Sequence, residues 1–106
     1  MTNVLINAPK TAKKGEVIEL KALILHPMET GFRPGPNGTI IPRNIIERFV
    51  ATWNGKEIFR MDFSPAIAAN PFVSFFAVAT ESGKIAFRWT GDEGFAAEES
   101  VSVDVA

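Results

Sequence analysis

Apolar side chains recur at every second position in run after run of this chain, and each run is closed by a turn signal. No stretch carries the roughly 3.6-residue period of an amphipathic helix of ordinary length. Between positions 16 and 25, Glu16, Ile18, Leu20, Ala22 and Ile24 share one face, and Val17, Glu19, Lys21, Leu23 and Leu25 share the other. That pattern predicts a strand with one buried face, whose second face turns apolar towards its end. A strand over 45–53 sets Ile45, Glu47, Phe49, Ala51 and Trp53 against Ile46, Arg48, Val50 and Thr52. Asn54-Gly55 follows, the strongest short hairpin signal, because both residues tolerate the positive φ of a type I′ turn. The returning strand, 56–63, places Phe59, Met61 and Phe63 opposite Ile58, Arg60 and Asp62.

The remaining runs follow the same logic. Val4-Leu5-Ile6 is a short apolar run closed by Asn7-Ala8-Pro9. Ser64-Pro65 ends the strand before it, and 66–69 has room for one helical turn before Asn70-Pro71 forbids its continuation. Strands are predicted over 72–79, with Phe75 and Phe76 on opposite faces, over 84–90, with Ile85, Phe87 and Trp89 in phase, and over 95–105, with Val101, Val103 and Val105 inward. About seven short strands with turns at this spacing predict an all-β chain: an antiparallel β-sandwich of immunoglobulin-like architecture, as a single domain over 1–106. Trp53 and Trp89 fall in phase with their apolar faces and are read as core residues.

Composition bounds the function. A chain of 106 residues with net charge −1 has no basic stripe for nucleic acid and no polybasic signal for a membrane surface. No apolar run approaches the roughly 18 residues of a spanning helix, and Met1-Thr2-Asn3 opens no signal peptide. With no cysteine, disulfides, thiolate metal sites and a cysteine nucleophile are excluded, and any chemistry on sulfur belongs to another chain.

One stretch breaks the pattern of strands and tight turns. Residues 26–46 separate two strands, whereas a hairpin loop needs roughly 2 to 5 residues. Its tip, 34–38, is Pro/Gly/Asn-rich, yet Met28, Phe32, Ile40 and Ile41 are apolar groups that a solvated linker would not need. With 46% hydrophobic residues and nine phenylalanines, a two-layer sandwich is expected to leave apolar surface exposed for a partner. His26 is the only histidine, so any triad or metal site must be built on it. With Met28 and Glu29 it could hold a soft metal such as copper, against the simpler reading that it hydrogen-bonds backbone beside Pro27. Glu47, Asp62, Asp92, Glu93, Glu98 and Glu99 form no readable carboxylate pair, and the glycines stand singly at turns, so no phosphate cradle is present. No cofactor or metal is expected.

Four blocks carry a resemblance: His26-Pro27-Met28-Glu29-Thr30-Gly31, then Ile41-Pro42, then Trp53-Asn54-Gly55-Lys56, then Ser64-Pro65-Ala66 with Ala69-Asn70-Pro71-Phe72. In this order and spacing the chain resembles the SoxZ family, the cysteine-free subunits of the SoxYZ carriers of the thiosulfate-oxidising Sox system. The resemblance implies an immunoglobulin-like sandwich without enzymatic activity, bound tightly to SoxY, whose mobile C-terminal Gly-Gly-Cys-Gly-Gly arm carries the sulfur intermediates and makes transient contact with other Sox enzymes. It also implies a periplasmic location, reached by co-export with SoxY. On this basis Met28, Phe32, Ile40, Ile41, Ile45 and Ile46 are expected to contact SoxY, and His26, Glu29 and Arg33 to line a docking place for the arm or an incoming enzyme. Two other classes use the same features: an enzyme with His26 as base, or a self-associating binding or adhesion module that buries its apolar surface in a homodimer.

Overall fold

A computed structural model describes residues 3–106; Met1 and Thr2, part of the N-terminal stretch read above, lie outside the described residues. The strands are β1 (Val4–Asn7), β2 (Thr11–Ala12), β3 (Val17–Ile24), β4 (Ile46–Trp53), β5 (Lys56–Asp62), β6 (Phe72–Val78), β7 (Gly83–Gly91) and β8 (Ala96–Val105). They form a three-stranded sheet in the order β1-β3-β6 and a five-stranded sheet in the order β2-β8-β7-β4-β5. This is the immunoglobulin-like sandwich expected, with one strand more than the pattern suggests. The addition is β2, a two-residue strand that pairs parallel to the end of β8 and so departs from a purely antiparallel arrangement.

Turn chemistry sets the connections. Asn54 and Gly55 have φ of 50° and 85°, as a type I′ turn between β4 and β5 requires. Residues 66–69 form no helix: Ile67 N–H donates to the Ser64 carbonyl in a single turn, and Pro71 stops anything longer. The only helical element among the described residues is a 3₁₀ turn, Asp92–Gly94, between β7 and β8.

The core is aromatic. Phe49, Phe87 and Trp89 are fully buried on the five-stranded sheet. Phe75 crosses from the opposite sheet to pack at 6.1 Å from Phe49 and to stack on Phe59 at 4.5 Å. Trp53 is buried too, with its indole N–H on the Glu81 carbonyl at 3.0 Å, so both tryptophans lie in the core as their phase predicts. The molecule measures 58 × 23 × 19 Å. Its longest strand accounts for about 33 Å of that length, and the paired segment 26–46 continues beyond the sandwich from the ends of β3 and β4.

Candidate functional site

Residues 26–46 are an ordered hairpin arm that links the two sheets. At its base, His26 N–H donates to Asn70 Oδ1 and Asn70 N–H donates to the His26 carbonyl, both at 2.9 Å. The imidazole Nδ1 accepts Met28 N–H at 3.0 Å, a bond made possible by the left-handed φ of 51° at Met28. The Met28 sulfur in turn accepts Ile46 N–H at 3.3 Å. Glu29 and Asn44 exchange backbone bonds in both directions, Ile41 N–H donates to the Arg33 carbonyl, and Gly35 and Thr39 close the tip. Two bidentate ion pairs lock the outside: Arg33 with Glu29, and Arg43 with Asp92, whose Oδ2 also accepts Ile45 N–H at 3.1 Å.

These contacts decide what the candidate residues can do. Met28, Ile45 and Ile46 are buried in the domain core, which corrects their assignment to a partner surface. For Ile46 the cause is a bulge: two steps on β4, Ile46 to Arg48, face one step, Gly91 to Thr90, on β7. Glu47 and Arg48 therefore both point outward and Ile46 turns inward, while Ile45, just before the strand, is held by Asp92 through its N–H and its carbonyl. Phe32 and Ile40 are 79% and 56% exposed, and Ile41 is half-buried. Glu29 and Arg33 face solvent as a pair; hydrogen bonding to Arg33 holds the Glu29 carboxyl below its ordinary range, and Glu29 raises Arg33. Arg43 lowers Asp92 in the same way.

His26 is buried, not a docking residue, and its ring packs edge-on against Phe95 at 4.8 Å. Burial lowers its pKa, with Asp92 pulling partly in the opposite direction. The soft-metal reading finds its donors already engaged, since Nδ1 holds Met28 N–H, the Met28 sulfur holds Ile46 N–H, and Glu29 holds Arg33. Among the described residues no cluster of three or more His, Cys, Asp or Glu could hold a metal ion. A polar hollow of about 420 Å³ lined by Glu47, Arg48, Asp62, Phe63 and Thr90 carries one exposed ion pair, Arg48–Asp62.

The largest exposed apolar surface lies elsewhere, on the outer face of the three-stranded sheet. Register puts Leu5, Leu23 and Phe72 in one row, Asn7, Lys21 and Ser74 in the next, Glu19 beside Phe76, and Val17 beside Val78. Leu5, Phe72 and Phe76 are 70%, 59% and 66% exposed. None of these is among the candidate site residues, although the period-two pattern separates Phe75 from Phe76 and puts Val17, Leu23 and Leu25 on the second face of β3. What that pattern cannot say is that nothing in the described chain covers the face.

No curated protein matches the sequence. Among solved structures, a variant of the superoxide reductase neelaredoxin from Ignicoccus hospitalis superposes with a TM-score of 0.77 at 18% identity, covering 99% of this chain and 81% of that one. The sulfur carrier protein SoxY from Chlorobium limicola f thiosulfatophilum superposes with a TM-score of 0.70 at 15% identity, over 100% of this chain and 81% of that one. The CARDB domain of a Pyrococcus furiosus protein gives a TM-score of 0.57 at 16% identity, with 100% and 94% covered. At such identities these likenesses describe the fold alone. The family model for sulphur oxidation protein SoxZ, by contrast, matches residues 6–102, and the chain belongs to the SoxZ family.

Proposed function

We propose that this chain is the non-catalytic subunit of a SoxYZ heterodimer, which binds SoxY while the cysteine arm of SoxY carries the sulfur intermediates of thiosulfate oxidation. The observation that carries this reading is a SoxZ-family chain with no cysteine of its own and a broad apolar sheet face left uncovered. The single histidine adds support, because its Nδ1 lone pair serves the backbone of Met28 and its position is buried. A rigid subunit of this kind holds the partner at one place, so that a tethered intermediate reaches successive enzymes at high effective concentration. Location in the periplasm by co-export with SoxY belongs to the same proposal.

Of the residues expected to contact SoxY, Phe32, Ile40 and Ile41 on the hairpin arm stay accessible and are candidates for contact with a visiting enzyme, with the Glu29–Arg33 pair at the polar edge of that contact. The test is co-expression with SoxY of the same host, purification from the periplasmic fraction and intact mass. An equimolar complex that bears sulfur only on the partner supports the proposal. A chain that arrives alone or as a homodimer overturns it.

A further inference from the structure

We infer that SoxY seats on the outer face of the β1-β3-β6 sheet, sheet against sheet, and not on the hairpin arm; this rests on the SoxYZ reading above. The two outer faces of the sandwich differ in kind. On the five-stranded sheet the outward positions include Arg48, Arg60, Asp62, Lys84, Arg88 and Glu98, with ion pairs Arg48–Asp62 and Arg88–Glu98 lying across neighbouring strands. That is the ordinary solvated surface of an antiparallel sheet. On the three-stranded sheet the outward positions are rich in leucine, valine and phenylalanine, and they line two shallow hollows of about 340 and 330 Å³ at its two ends.

Size favours a folded partner over a small ligand. The exposed parts of Leu5, Val17, Leu25, Phe72, Phe76 and Val78 make up on the order of 600 Å² of apolar surface, divided by the polar row into two patches on one flat face. With the polar middle row this approaches the ~800 Å² that one partner contributes to a stable complex. The arm offers far less, since Phe32 and Ile40 stand beside the charged Glu29–Arg33 pair.

The polar row is partly satisfied within the chain. Glu19 pairs with Lys21 at 3.8 Å through one carboxylate oxygen and accepts Ser74 Oγ–H at 2.8 Å on the other. Neither charge lacks a partner, but the Lys21 contact is too long to offset full desolvation, so the seat keeps the Lys21 ammonium wet or brings it a further acceptor. The SoxY of Chlorobium limicola superposes on this entire chain, so a partner of that fold is itself a two-sheet sandwich able to pack sheet on sheet.

The experiment measures SoxY affinity and homodimerisation of the purified chain for three forms: unchanged, Leu5→Lys with Phe76→Lys, and Phe32→Lys with Ile40→Lys. All four positions are exposed, so each form is expected to keep its melting temperature. The sheet-face pair should weaken SoxY binding by about 100-fold or more, and the arm pair by less than about 3-fold. Without any substitution, SoxY should slow amide exchange in segments 4–7 and 72–78. If the unchanged chain binds SoxY and the sheet-face pair binds equally well, the seat is wrong while the SoxYZ reading stands. If the unchanged chain fails to bind SoxY, both fall. A homodimer abolished by the sheet-face pair while SoxY binding persists would assign the face to a second copy and overturn the inference.

Discussion

The sulfur of Met28 accepts the backbone N–H of Ile46 at 3.3 Å, joining the start of the hairpin arm to the first residue of β4. A buried N–H that loses its acceptor bears a desolvation penalty, and here the acceptor is a thioether. Met28→Leu, nearly isosteric but without an acceptor, should lower unfolding stability by about 1–2 kcal/mol in urea titrations. SoxY affinity, measured well below the melting temperature, should not change, in contrast to what a surface role for Met28 requires.

His26 makes stability depend on pH. Burial lowers its folded-state pKa, so the folded chain binds this proton less tightly than the unfolded chain does. The contribution is therefore complete above the unfolded value, about 6.5, and declines as pH falls below it. Protonation also removes the lone pair that accepts Met28 N–H. The urea midpoint should fall between pH 7 and pH 5, before the lowered carboxyls of Glu29 and Asp92 begin to titrate. His26→Asn, which keeps a side-chain acceptor near the same place, should flatten the profile in this window.

Gly91 is required by space, since its own φ is the extended −166°. A Cβ there would overlap the Ile45 carbonyl oxygen and come within 2.8 Å of Ile46 Cα, both of them backbone atoms of the bulge. Gly91→Ala should destabilise by about 3 kcal/mol. Gly55→Ala makes the comparison: φ is +85° but the space is open, so only the left-handed backbone penalty of about 1–2 kcal/mol applies. Thermal melts that rank the two in the reverse order would contradict the bulge.

Arg43 and Asp92 clamp the arm from outside. Arg43→Ala removes both guanidinium bonds while leaving in place the two bonds between Asp92 and Ile45, one to the carboxylate and one between backbones. Hydrogen exchange should accelerate in 29–44 alone, with the melting temperature almost unchanged, because an exposed ion pair fixes local order more than global stability. Raised salt should reproduce part of the effect in the unchanged chain.

Much of this molecule was determined by sequence alone. Period-two alternation identifies the longer strands, Asn54-Gly55 dictates its turn, Trp53 and Trp89 lie in the core that their phase predicts, and the blocks around His26 and Asn70 carry the family. The tertiary structure decided which apolar groups were surplus. Alternation says which residues share a face, but not whether the rest of the chain covers that face, so the apolar excess is expected on Met28, Ile45 and Ile46, which are buried, and not on Phe72, Phe76 and Leu5, which are exposed. One bulge opposite Gly91 resets the phase of β4, and a single left-handed residue turns Met28 inward. Arg43 and Asp92, 49 positions apart, meet only because β7 ends beside the arm. Local spacing encodes the period of a strand; burial is a property of the layers that assemble around it.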